Sequence, residues 1–300
     1  MAAAVGAELA RPEPIDVRAS TLVVPLDGSP EAVAALPVAR ALAAAEGATL
    51  HIVHVCRAPL GSRDLVAQLR LTPEQLDGTV LDPCGGEPAA GIVKQARVLG
   101  SRLIVMSSRR EPATGRGALG SVTREVLRQA PCPIVIVPPE RAGAAWSLRQ
   151  ILLPHHGIPT TAAAIARAAD LAQKAHAELA VLHIASNITQ PPGEPGALMA
   201  PRYLDQPQHE WPIWAREFMD RVVALGGSPP AVRMRLFFAC GEPADVIVDF
   251  AAEHHTDLVI IAWVAGWEPE QRTTMRKVID RAPGPLLIFP LEQPQAGMLF

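Results

Sequence analysis

Five blocks of this chain occur twice, in the same order, and that repetition limits what the chain can fold into more than any other feature. STLVVPLDG (20–28) returns as LRQILLPHHG (148–157), and EGATLHIVHVC (46–56) returns as AHAELAVLHIA (175–185). GEPAAGIVKQA (86–96) returns as GEPADVIVDFA (241–251), RLIVMSS (102–108) as DLVIIAW (257–263), and QAPCPIVIVP (129–138) as RAPGPLLIFP (281–290). Five ordered matches indicate a tandem duplication. The later blocks lie further apart than the earlier ones, so the second copy carries an insertion, in the Pro-rich stretch 186–230 that holds Tyr203, Trp211 and Trp214. The expected organisation is a mobile tail over 1–18, a first domain over 19–140 and a second domain over 147–300. A chain of 300 residues suits two domains of ordinary size.

Each copy alternates strands with helices. In the first, residues 21–26, 49–55, 103–106 and 134–137 are nearly continuous apolar runs, as in a parallel sheet covered on both faces. A weaker strand is expected over 79–82. Asp27-Gly28-Ser29-Pro30 reads as a turn that caps a helix over 30–46, with Pro30 at its first position and a kink at Pro37. A short polar segment covers 57–77, and Gly86-Glu87-Pro88 opens a helix to about residue 99. Strand–helix alternation of this kind gives an α/β protein: two repeated, doubly wound, Rossmann-like domains, each with a five-stranded parallel sheet. In such sheets ligands bind where a strand's carboxyl end feeds a helix N-terminus. In the first copy that place is the Gly- and Arg-rich loop between 106 and 121.

Composition removes several classes of function. The formal net charge is −3, from 27 Lys and Arg against 30 Asp and Glu, which supplies no electrostatic reason to expect nucleic acid or an anionic membrane. Cys56, Cys84, Cys132 and Cys240 are widely spaced and form no CxxC, which suits a reducing compartment and argues against a disulfide framework or a zinc cluster. No apolar run reaches membrane-spanning length. The N-terminal stretch MAAAVGAELARPEP has no basic start and no sustained apolar core, so a secretory signal is not expected and a cytoplasmic protein is.

The order of these elements, with the loop that follows the fourth strand, resembles the tandem universal stress proteins over about residues 20 to 291. In that family a loop pattern G-x2-G-x9-G-[ST] wraps the phosphates of ATP, and an Asp after the first strand meets the adenosine. Glycines let backbone amides approach phosphate oxygens, and a Ser or Thr adds a hydroxyl at a helix N-terminus. The resemblance implies a site for ATP or another adenine nucleotide at Pro25, Asp27, Val55, Met106, Ser107, Arg110, Gly120, Ser121 and Val122. The gap from Arg110 to Gly120 and the Gly120-Ser121 pair match the pattern, whereas Ser107 and Arg110 replace its two leading glycines. Ser107 is small enough to donate a hydrogen bond; Arg110 either blocks the pocket or reaches a phosphate as a cation. In the second copy His156 stands for the Asp, Trp263-Val264 opens the loop, and Arg272-Thr273 stands for Gly-Ser. A degenerate second site is implied.

Blander roles compete with these. Asp27 and Ser121 are also ordinary helix-capping residues. His54 and His183 recur in one strand of each copy and read as packing, with one ring nitrogen satisfied. His155-His156 and His254-His255 lack a third ligand, so no metal is expected. The sequence carries neither HxGH nor SGGxDS, the adenylating motifs of related nucleotide-binding folds, and places no nucleophile beside a base. The expectation is therefore a regulatory stress-response binding protein rather than an enzyme, with slow ATP hydrolysis left open because Ser121 and Arg110 would sit near a terminal phosphate. The alternative is a nucleotide-free protein that binds an unknown protein partner. Equivalent apolar strands at 134–137 and 286–289 would pair within the chain as a pseudo-dimer, with room for a further homodimer.

Overall fold

The computed structural model describes residues 20–56, 61–108, 110–111, 118–141, 145–155, 162–185, 220, 232–264 and 269–291. The N-terminal tail and nearly all of the 186–230 insertion, with Tyr203, Trp211 and Trp214, lie outside them, as does His156. The first copy supplies strands β1 (Ser20–Pro25), β2 (Ala48–Cys56), β3 (Thr79–Gly85), β4 (Leu103–Ser107) and β7 (Ile134–Val137). Two short strands, β5 (Arg110–Glu111) and β6 (Ala118–Leu119), pair only with each other. The second copy supplies β8 (Gln150–His155), β9 (Glu178–Ala185), β10 (Met234–Cys240), β11 (Leu258–Val264) and β12 (Leu286–Leu291).

These ten long strands form one sheet in the order β10-β9-β8-β11-β12-β7-β4-β1-β2-β3. All neighbours within a copy run parallel, and both copies use the same doubly wound order. The copies join at the middle, where β12 pairs antiparallel with β7 through Leu286 with Ile136, Leu287 with Val135 and Ile288 with Ile134. The pseudo-dimer expected from the two apolar strands is therefore present within one chain. Each copy hides the other's edge, and an edge without a partner would invite association.

Period-two alternation divides the strands between two buried layers. Leu22, Val24, Leu103 and Val105 face one layer, whereas Val23, Ile104 and Met106 face the other. The first layer is covered by helices α2 (Ala35–Glu46) and α7 (Ala162–Ala175). They meet across the two copies, where Lys174 Nζ lies 3.0 Å and Arg167 Nη2 3.8 Å from the carboxylate of Glu46, whose side chain is 8% exposed. The second layer is covered by α5 (Pro88–Val98), α6 (Ser121–Gln129), α8 (Pro243–Glu253) and α9 (Pro269–Arg281). No helix among the described residues is long and apolar enough to cross a membrane.

Three local expectations need correction. The helix over 30–46 is two helices, α1 (Pro30–Val33) and α2, broken at Ala34 rather than kinked at Pro37. The break leaves Pro37 in the first turn of α2, where a missing N–H removes no helical bond. The strand expected over 79–82 runs to Gly85, along a sheet edge where Pro83 needs no partner for its nitrogen. The polar segment 57–77 contains two helices, α3 (Ser62–Leu69) and α4 (Pro73–Leu76). Thr72 and Gln75 close a capping box at the start of α4, each side chain bonded to the other's backbone N–H.

Candidate functional site

A cleft of about 460 Å³ opens at the carboxyl ends of β1, β2 and β4, against the N-terminus of α6. Pro25, Asp27, Val55, Met106, Ser107, Gly120, Ser121 and Val122 all line it. The remaining expected site residue, Arg110, opens the short strand β5 after the end of β4. Its backbone belongs to β5 and pairs with Leu119, next to Gly120, so the loop's two ends are zipped into a short antiparallel ladder.

Each wall has a local cause. After β1, the Asp27 carboxylate accepts from Ser29 N at 2.9 Å and Ser29 Oγ at 2.5 Å, forming an Asx-type turn. Ser29 Oγ accepts in turn from Ala32 N at 3.3 Å, with Pro30 next to it. Ser29 rather than Asp27 is therefore the helix cap, and Asp27 is an exposed residue on the cleft wall. Gly28 between them has φ +85°, and a Cβ there would meet the Gln68 carbonyl oxygen at 2.9 Å. Glycine is the residue that allows both that turn and the close approach of α3.

The opposite wall is the start of α6. Gly120 is its N-cap, with extended ψ and no side-chain cap, and Ser121 is its first helical residue. Ser121 is therefore not the N-cap that its residue type allows. Arg124 N bonds to Gly120 O, and the three amides before it, on Ser121, Val122 and Thr123, have no carbonyl in the helix to receive them. Those amides and the positive end of the helix dipole favour an anion. Ser107 Oγ, at the end of β4, is buried and has no hydrogen-bond partner among the described residues. A buried hydroxyl left in that state costs stability, and this one lines the cleft.

The floor is apolar apart from His54. Its Nδ1 lies 2.7 Å from Leu26 O, and its Nε2 lies 3.1 Å from Gln68 Nε2. The tautomer that fits donates from Nδ1 to the carbonyl and accepts at Nε2 from the Gln68 amide. Both nitrogens are engaged, one more than expected, and the ring ties β1, β2 and α3 together. Beneath Val55, Gly91 brings α5 so close to β2 that a Cβ would sit 2.9 Å from both Val55 methyls.

Sequence reasoning missed α3, whose Leu65 and Leu69 are fully buried in the core. Their i, i+4 spacing was the available signal. It also missed Ile92, Pro88 and Thr123 as lining residues. Among the described residues, no group of three His, Cys, Asp or Glu could hold a metal ion. His254 instead stacks on Phe250, with ring centroids 4.0 Å apart.

The second copy is built differently at the same place. α9 begins at Pro269, so Arg272 and Thr273 lie inside the helix rather than at its start. An amide there is used by a helical carbonyl. β11 also runs on through Trp263 and Val264, which pair with Pro290 and Leu291 of β12.

The profile of the Universal stress protein family matches residues 19–77, 61–138 and 147–290. The universal stress protein in the QAH/OAS sulfhydrylase 3' region of Thermus aquaticus is 31% identical over 133 residues, covering 39% of this chain and 97% of its own length. A universal stress protein from Archaeoglobus fulgidus shares the fold at a TM-score of 0.60 and 15% identity, over 92% of this chain and 97% of that one. A functionally unknown protein from Pseudomonas aeruginosa PAO1 does so at 0.63 and 19% identity, over 92% and 94%. With matches that span both copies, this chain belongs to the universal stress protein family.

Proposed function

We propose that the protein is a cytoplasmic stress-response regulator that binds ATP or a related adenine nucleotide in the cleft of its first copy. The observation that carries this is convergence: residues spread from Pro25 to Val122 meet at one cleft, with the uncapped N-terminus of α6 on its wall. The phosphates would lie against the amides of Ser121, Val122 and Thr123, with Ser107 Oγ as a further donor. The base and ribose would lie between Val55, Met106 and Asp27. The second copy has lost this cradle, because its helix starts a turn earlier. Binding rather than catalysis is favoured because His54, the imidazole in the cleft, has both nitrogens engaged and the Asp27 carboxylate is held by Ser29.

Titration of the full chain with labelled ATP tests the reading. Saturable binding at one site per chain, weakened by Gly120→Val and unaffected by Thr273→Val, is expected. No saturation at millimolar nucleotide overturns it. One observation favours a second reading, a nucleotide-free interaction protein: the β5–β6 ladder holds Arg110 where the family pattern has glycine. Under that reading ATP does not bind, and Arg110→Gly does not restore binding.

A further inference from the structure

A second cavity, of about 510 Å³, lies over the β7–β12 seam between α6 and α9. Its floor is hydrocarbon, from Leu127, Ile134, Met275, Ile279 and Ile288. Ile134, Met275 and Ile288 are core side chains, no more than 4% exposed. On the sheet's other face α2 and α7 close over the same strands; on this face α6 and α9 leave a space between them.

The rim is charged, and the duplication explains its pattern. Gly120-Ser121 corresponds to Arg272-Thr273, so Arg124 on α6 and Arg276 on α9 are equivalent residues. The pseudo-two-fold of the seam brings both to the same cavity, one from each copy. The two carboxylates on the same rim are those of Glu125 and Asp280. Glu125 is occupied by Arg128, whose Nε donates at 3.1 Å and which holds the Glu125 carboxyl below its usual range. Asp280 also lines the cavity and has an interaction of its own. Arg124 donates to the Leu119 carbonyl at 3.4 Å, and Arg276 makes no ion pair among the described residues. Two guanidinium groups that form no ion pair among the described residues, above a deep apolar floor, complement a ligand with an anionic head and a hydrocarbon body.

We propose that this seam cavity binds a small amphipathic anion, a straight hydrocarbon chain ending in a carboxylate. The head is held by Arg124 and Arg276, and the chain lies on Leu127, Met275 and Ile279. The site is separate from the nucleotide cleft and uses both copies, so neither copy forms it alone.

Two methionines report on the two sites independently, since Met275 lines the seam cavity and Met106 lines the cleft. The full chain, labelled at its methionine methyls, is titrated with sodium decanoate below its micelle concentration. A saturable shift of the Met275 signal, assigned with Met275→Leu, is expected while Met106 stays in place. Decanol should bind about tenfold more weakly, the loss for one charge-assisted contact. The double variant Arg124→Gln/Arg276→Gln should bring decanoate down to the level of decanol. A flat Met275 signal, equal unsaturated shifts at both methionines, or full decanoate affinity in the double variant would each overturn the proposal. A dimer by light scattering that Leu127→Arg dissociates would put a second copy in the groove and overturn it too. ATP shifting Met106 but not Met275 tests the cleft separately.

Discussion

Cys132 shows how burial alone sets a side chain's chemistry. It lies at the entrance to β7, 7% exposed, and burial pushes its thiol from an ordinary 9.0 up to about 11, with a hydrogen bond shared with Ser101 offsetting part of the rise. The folded state thus holds the Cys132 proton more tightly than the unfolded state does. The resulting stability is complete below pH 9.0 and is lost as pH rises through about 11. A two-unit gap corresponds to about 2–3 kcal/mol. Denaturant midpoints measured from pH 8 upward should therefore fall more steeply in the parent chain than in Cys132→Ala, whose stability at neutral pH is lower by about 1–2 kcal/mol for the lost packing. Alkylation at neutral pH should mark the exposed Cys240 and leave Cys132 unmodified until the chain unfolds. His54 makes a related point: its recurrence in both copies was visible in the chain, but its partners Leu26 and Gln68 were not. Whether a buried imidazole is held by one bond or two depends on what folds over it.

Among the elements, α5 and α6 each supply a wall of the cleft. Gly91 lets α5 settle onto β2 at Val55, with no room for a methyl group. Gly91→Ala should cost about 1–3 kcal/mol in urea unfolding, the range for overpacking a tight site. It should also weaken ATP binding, because Val55 is a wall of the cleft and must move. If binding stays unchanged while stability falls, Val55 has no part in holding nucleotide. The helix that opens at Gly120 was legible, since Gly-Ser after an apolar strand and a loop is a local signal. Its counterpart in the second copy was only half legible. The substitution of Arg272-Thr273 was plain, but the earlier start of α9 was not, because Glu268-Pro269-Glu270 reads equally well as loop or first turn. α3 was missed for a similar reason: its helix is short and half polar, and burial of Leu65 and Leu69 in the core rather than propensity holds it.

For the whole molecule, the antiparallel seam between β7 and β12 makes one body of two copies. Leu287 is 4% exposed and faces Val135 in register. Leu287→Lys should expose two apolar edges at once, and the chain should elute as aggregate or as larger species in size-exclusion chromatography. A monomeric variant with unchanged melting behaviour would show that the seam is dispensable. Glu46→Gln, on the other face, should cost only about 1 kcal/mol, since its partners Lys174 and Arg167 remain partly exposed.

The duplication, the parallel strands and many of the positions that line the cleft could be read along the chain, because period-two burial, turn residues and helix openings are local and repeat in order. Pairing across the seam could be anticipated from two equivalent apolar strands. The space left on one side of that seam could not. The residues that form it, such as Leu127 and Ile279, look like any inward face of an amphipathic helix, and the equivalent Arg124 and Arg276 look like any solvated charges. Only the joining of the copies across a pseudo-two-fold axis brings those faces and charges together, since a contact between residues so far apart in the chain has no signature in either stretch alone.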